Sequence, residues 1–250
     1  MQISEKIDLP RFLEARATVL EERACHSGIG TLFEKSLHGI LKYYIEPDPA
    51  YHEVKLCGSI ADIKRGDTVV EIQTRSLERL CPKLDKFLSV ADVRIVYPLP
   101  YEKRISLIDK DSGEIISRRK SPKRASAADA IIELRKIKSY LSHPRLSLSL
   151  VFLNVDEYRT EGERVRFGKR TTVRAERIPN SIECVMNFDS PEDYLRLLPE
   201  SLPLEFTVAE LAKAVKLKKR WGYDIVSLLL SLGLIELRGK RGRENVYSKK

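Results

Sequence analysis

Cysteine is scarce in this chain and follows no pattern. Cys25, Cys57, Cys81 and Cys184 stand far apart with no C-x-x-C spacing, which argues against a structural zinc framework and predicts free thiols in a reducing compartment. Histidine is equally sparse: His26, His38, His52 and His143 are dispersed, so packing or surface roles are expected of them rather than metal ligation. No apolar run reaches the length of a membrane span, and the opening stretch MQISEKIDLP is polar. These absences predict a cytoplasmic protein with no membrane partner.

Positive charge is in excess. Lys and Arg number 45 against 36 Asp and Glu, a formal net charge of +9 with a pI near 9.3, and a surface of that sign points to a polyanion. At 250 residues with ordinary apolar content the chain can hold one large core or two domains.

The most informative stretch is Cys57 to Ser76, CGSIADIKRGDTVVEIQTRS. Residues alternate on either side of Arg65-Gly66-Asp67, which predicts a tight hairpin. With Gly66-Asp67 as a two-residue primed turn, Arg65 faces Thr68, and counting back sets Asp62 opposite Glu71 and Ile60 opposite Gln73. Like charges paired across strands repel, so one of the two carboxyls is expected to titrate high unless a cation relieves the pair. A hard divalent ion, Mg²⁺ or Mn²⁺, suits that oxygen set. The same residues also read as an ordinary polar hairpin face, with Lys64 placed diagonally to offset the acids.

An acid on one strand, a short hairpin, then Glu-x-Gln on the next strand followed by a helix resembles the PD-(D/E)XK superfamily of restriction-endonuclease-like nucleases. The resemblance covers roughly residues 10 to 100. It implies an α/β fold with a mixed sheet flanked by helices, metal held by Asp62, Glu71 and the carbonyl of Ile72, and Gln73 at the usual Lys position. It also implies a further acid from an upstream helix, for which Glu34 is the candidate; Glu34 can equally pair with His38 one turn on. Gln73 departs from the commonest pattern, and Lys83 or Lys86 on the following helix could supply the missing cation, although each also reads as a surface lysine.

Around this motif the pattern predicts a helix from Asp8 to about Cys25, a second through Phe33, Leu37 and Tyr44, and an amphipathic stretch from Leu77 that restarts at Pro82. A central strand is expected over Asp92–Tyr97, ended by Pro98 and Pro100. A second hairpin about Asp111-Ser112-Gly113 leads into RRKSPKR, where Arg118, Arg119, Lys120, Lys123 and Arg124 make five cations in seven residues, a candidate phosphate-contacting segment. Ser126 caps a helix, Leu146–Val155 reads as a buried strand, and Thr160 to Arg177 as a hairpin or connection. Ile178-Pro179-Asn180 is the expected boundary between domains at 1–178 and 185–250.

The C-terminal part reads as closely spaced helices, from Ser190-Pro191 and from the Thr207 to Glu210 capping box, then KRWGYDIVSLLLSLG, then two strands around GKRGR. That order resembles a winged helix-turn-helix domain. The resemblance implies DNA contacts by Lys218, Lys219 and Arg220 at the recognition helix and by Lys240, Arg241 and Arg243 at the wing, or else a winged helix used for protein contacts. Together the two resemblances imply a Mg²⁺-dependent DNA endonuclease, with DNA and a second copy of the chain as partners. RNA as substrate and a catalytically inactive DNA-binding protein or regulator on the same fold are the alternatives.

Overall fold

The computed structural model describes residues 3, 6–26, 35–166 and 169–250. Helix α1 (Leu9–His26) starts on Asp8, whose Oδ1 accepts the Arg11 N–H at 3.1 Å. Helix α2 (Lys35–Ile45) follows. Two hairpins come next. Strand β1 (His52–Leu56) turns through Cys57-Gly58, both left-handed at φ 47° and 69°, into β2 (Ser59–Arg65). Strand β2 turns at Gly66, φ 57°, into β3 (Thr68–Ile72), with Arg65 against Thr68, Lys64 against Val69 and Ile63 against Val70. That register is the one expected of a two-residue primed turn.

A 3-10 turn over Leu77–Leu80 and α3 (Cys81–Phe87), with Pro82 in its first turn, carry the chain to β4 (Asp92–Ile108), parallel to β3. Strand β5 (Ile115–Lys120) folds back on the far half of β4, and α4 (Ala127–Leu134) opens with the Ser126–Asp129 capping box. Strand β6 (Leu146–Arg166) runs parallel to β4, and β7 (Lys169–Phe188) returns antiparallel to β6. The mixed sheet has the order β1-β2-β3-β4-β6-β7, with β5 beside β4. Phe12, Val19, Leu37, Ile40 and Leu41 from α1 and α2 bury against Ile63, Val70, Val96, Val151 and Val155 on one face. Leu84 and Phe87 of α3 and Ile131 and Leu134 of α4 bury against Val69, Ile95, Leu148 and Leu150 on the other.

Two expectations fail here for the same reason. Pro98 and Pro100 do not end β4, because β3 stops at Ile72 beside Val96 and β5 joins only at Arg104. Between them β4 has a neighbour on one side only, where a missing N–H costs least. Nor do Ile178-Pro179-Asn180 mark a boundary: they lie inside β7, with Pro179 at a register shift opposite Val155 on an edge strand.

Past Phe188 a capped 3-10 segment (Pro191–Leu197) replaces the expected helix. Strand β8 (Glu205–Thr207), not expected from the sequence, precedes α5 (Val208–Ala214), α6 (Lys219–Ser231), β9 (Ile235–Arg241) and β10 (Glu244–Lys249). Thr207 Oγ1 and Glu210 close the capping box at 3.2 and 2.8 Å. A Cβ on Gly222 would meet Val208 at 2.9 Å, so only glycine allows α6 to lie this close to α5. Phe206, Leu211, Ile225 and Leu228 continue the core that contains Ile131 and Leu134 of α4. Arg135 beyond α4 pairs with Asp224 of α6 at 2.8 Å. The C-terminal segment is therefore packed into the core of the sheet unit rather than tethered beside it. Among the described residues no helix is long and apolar enough to cross a membrane.

Candidate active site

Strands β2 and β3 are paired from the turn as far as Ile63 and Val70. One step further they part, while β3 stays paired with β4 as far as Ile72, and the carboxylates fill the fork. Asp62 Oδ2 accepts the Ile72 N–H at 2.7 Å, and Glu71 Oε1 accepts the Asp62 N–H at 3.3 Å. Each acid thus caps the backbone of the opposite strand, and both carboxylates are held at one point.

Two further side chains complete the cluster. Lys83 of α3 sits 2.8 Å from Glu71 Oε2, and His38 of α2 places Nε2 3.1 Å from Asp62 Oδ2. Glu71 is only 1% exposed. Its burial, and then the charge of Asp62, push its carboxyl up to about 7 against the opposing pull of Lys83. Burial also works to raise Asp62, but hydrogen bonds from His38 and the Ile72 N–H and the charges of His38 and Lys83 outweigh it, so Asp62 lies below its ordinary value. The pair is split into a low and a high carboxyl, as the facing register leads one to expect.

The cluster opens onto a cleft of about 670 Å³ between α2 and α3, lined by His38, Lys42, Asp62, Glu71, Ile72, Gln73, Arg75, Arg79 and Lys83 among others. Gln73 turns its Oε1 back to the Arg75 N–H at 3.0 Å and so braces the turn after β3. Of the lysines near the fork, Lys83 of α3 reaches Glu71 at 2.8 Å, whereas Lys86 bonds Ser59 at 3.0 Å and Lys64 the Gly66 carbonyl at 2.9 Å. Glu34 lies outside the described residues. His38 was missed as a site residue; its one signal is that, with Lys42 four residues on, it shares the α2 face that lines the cleft.

The donor set at the fork is two carboxylates and backbone, without thiols. Among the described residues no group of three or more His, Cys, Asp and Glu side chains gathers that could hold a metal by itself. Two carboxylates fit Mg²⁺ or Mn²⁺, which keep water and substrate oxygens as their other ligands, better than an ion that demands a full protein cage.

The basic segments are less bare than their sequence suggests. Lys120 pairs with Glu102 at 2.7 Å, Arg124 also pairs with Glu102, and Lys123 pairs with Asp129 at 2.7 Å. Arg118 donates to Ser106 at 3.3 Å, and Arg119 lies on the exposed strand β5. In the C-terminal segment Lys219 pairs with Glu244 at 2.5 Å and Arg241 with Glu210 at 2.8 Å, while Arg220 stacks over Trp221 at 4.5 Å. Lys218, Lys240 and Arg243 are exposed beside them.

The structure is thus that of a mixed α/β protein with a pair of unlike carboxyls in a cleft of mixed charge at a strand fork. The chain belongs to the family described as a domain of unknown function (DUF8091), which it matches over residues 35–189. That span runs from the start of α2 to the end of β7 and takes in the whole cluster. A protein of Treponema pallidum (strain Nichols) carrying the name "Uncharacterized protein" is 30% identical over 223 residues, which are 88% of this chain and 87% of that relative. No solved structure matches the chain.

Proposed function

We propose that this protein is a divalent-metal-dependent nuclease of the PD-(D/E)XK type that hydrolyses phosphodiester bonds in DNA, with residues beyond 188 acting as a winged-helix DNA-binding unit. The observation that carries this reading is the convergence of Asp62, Glu71 and Lys83 at the β2/β3 fork, open to a cleft lined by Arg75 and Arg79. Asp62, Glu71 and the Ile72 carbonyl would hold the ion, which supplies Lewis acidity at the scissile phosphate.

The remaining steps belong to the chain itself. The backbone bonds between the two strands fix both carboxylates before substrate arrives, so little reorganisation is left for the reaction. Lys83 holds Glu71 in place and brings a positive charge to the spot where phosphate charge grows. Arg75 and Arg79 line the approach and favour a polyanion over neutral substrates, while Lys42 is paired with Glu53 of the same lining at 2.5 Å. His38 orients Asp62 through Oδ2.

The winged-helix reading is supported by the order α5, turn, α6, then the β9/β10 hairpin in a three-stranded sheet. Arg220, Tyr223, Ser227 and Leu230 form an exposed line along α6. Lys218, Lys240 and Arg243 are then the better candidates for phosphate contact, since Lys219 and Arg241 must first leave their acids. Purified full-length protein is expected to cut duplex DNA in Mg²⁺ or Mn²⁺ and to lose that activity in chelator. Cleavage of an RNA duplex instead would transfer the substrate to RNA, and no cleavage of either with any divalent metal would refute the nuclease reading.

A further inference from the structure

Strand β4 continues for twelve residues past its last pairing with β3, from Val96 to Ile108, a reach of up to about 40 Å for an extended strand. With β5, β6 and β7 it forms an apron leading away from the cleft. Residues paired across strands share a face. One row of this apron is Arg119, Ile105, Glu157 and Arg177, and a neighbouring row is Leu107, Arg159 and Arg174.

Lys103 stands on the same face by alternation and reaches Glu157 Oε2 at 3.3 Å; Arg159 Nε donates to Glu157 Oε1 at 2.6 Å. Glu157 is 2% exposed. Five cations, Lys103, Arg119, Arg159, Arg174 and Arg177, therefore share a face with two acids, Glu157 and Glu161. By register the alternate rows carry Arg104, Lys120 and Asp156, then Arg118 and Glu176.

Arg177 ties this face to the candidate active site. Its Nη2 donates at 3.2 Å to the carbonyl of Thr74, between Gln73 and Arg75 in the cleft wall. Burial, and then Arg174, pull the Arg177 guanidinium down to about 10, with Arg75 adding to the effect. Cations thus outnumber acids on the apron, five against Glu157 and Glu161, and Arg177 joins them to the cleft wall.

We propose that the Arg177, Arg159, Arg174 and Arg119 face of the β5-β4-β6-β7 apron binds the phosphates of the nucleic-acid strand as it leaves the cleft. The proposal rests on the nuclease reading for its direction, but its test does not require cleavage. Binding of a labelled DNA duplex, and of an RNA duplex of the same sequence, is measured without divalent metal over a range of salt. Arg119→Glu/Arg174→Glu, two exposed positions on separate strands of the face, is expected to weaken binding at least about tenfold and to lower the salt slope by about two. Arg104→Glu/Lys138→Glu reverses the same number of charges at two exposed positions away from this face and is expected to leave affinity within about twofold of the parent. Melting curves confirm that both variants are folded.

Equal losses in the two variants, or none in Arg119→Glu/Arg174→Glu, would overturn the assignment. The DNA and RNA arms show which backbone the face prefers. A parent that binds through this face yet never cuts would sink the nuclease reading and leave the face standing. An Arg119→Glu/Arg174→Glu variant that binds and cuts like the parent would do the opposite.

Discussion

Asp62→Ala is expected to lower metal-dependent cleavage by at least about a thousandfold while leaving duplex affinity within a few-fold of the parent. On the proposed function Asp62 holds the ion, whereas affinity comes from the cations of the cleft, apron and C-terminal segment. The substitution also removes the acceptor of the Ile72 N–H and the partner of His38, which costs about 1 to 3 kcal/mol of stability. Asp62→Asn separates the two effects, because its amide oxygen can still accept the Ile72 N–H and only the charge is lost. Cleavage should fall as far in Asp62→Asn as in Asp62→Ala, with less loss of melting temperature. If Asp62→Asn cuts at the parent rate, the fork is not the catalytic centre.

The second large effect is on stability, and Glu71 carries it. A carboxyl raised from 4.5 to about 7 holds its proton more tightly in the folded than in the unfolded chain. Below 4.5 the group is protonated in both states; above 7 it is charged in both and the folded state bears the burial cost. The metal-free protein should therefore lose stability as pH rises through this window, by up to about 1.4 kcal/mol per pH unit and about 3 kcal/mol in all from this group. The Asp62 shift has the opposite sign, since a lowered carboxyl stabilises at pH above its ordinary 3.8 and that stability is lost in acid. Its effect lies below the Glu71 window. Urea unfolding of parent and Glu71→Gln in chelator across pH 4.5 to 8 isolates the Glu71 contribution as the difference between the two curves. Parallel curves would mean that Glu71 titrates normally.

Much of the fork was legible because the sequence sets its register: Arg65-Gly66-Asp67 permits a primed turn, and counting from it places Asp62 by Glu71. What could not be counted was the relief of their repulsion. His38 stands 24 residues before Asp62 on a helix whose rotation depends on packing Leu37, Ile40 and Leu41 against the sheet, so its approach to Asp62 is a tertiary fact. Asp62 consequently gains from its charge in the folded state, and the carboxyl of the pair that titrates high is Glu71.

The strand ends were misread at Pro98, Pro100 and Pro179 because proline speaks of local hydrogen bonding and not of which neighbour is missing. The basic runs were over-read for a related reason. Glu102, Asp129, Glu210 and Glu244 are distant in sequence from Lys120, Lys123, Arg241 and Lys219, or separated by a turn, yet they meet them in space. Conversely, the apron face was invisible in the sequence, since Lys103, Arg119, Arg159, Arg174 and Arg177 lie on four strands and become neighbours only through the register of the sheet.

The most direct test of the account is Mn²⁺ binding to the full chain, followed by electron paramagnetic resonance as the ion is titrated into parent, Asp62→Asn and Glu71→Gln at constant pH. The account predicts a saturable site in the parent that is lost or greatly weakened in both variants, each remaining folded by its melting curve. Undiminished binding in either variant, or no saturable binding in the parent with duplex present, would contradict the assignment of Asp62 and Glu71 as a metal centre.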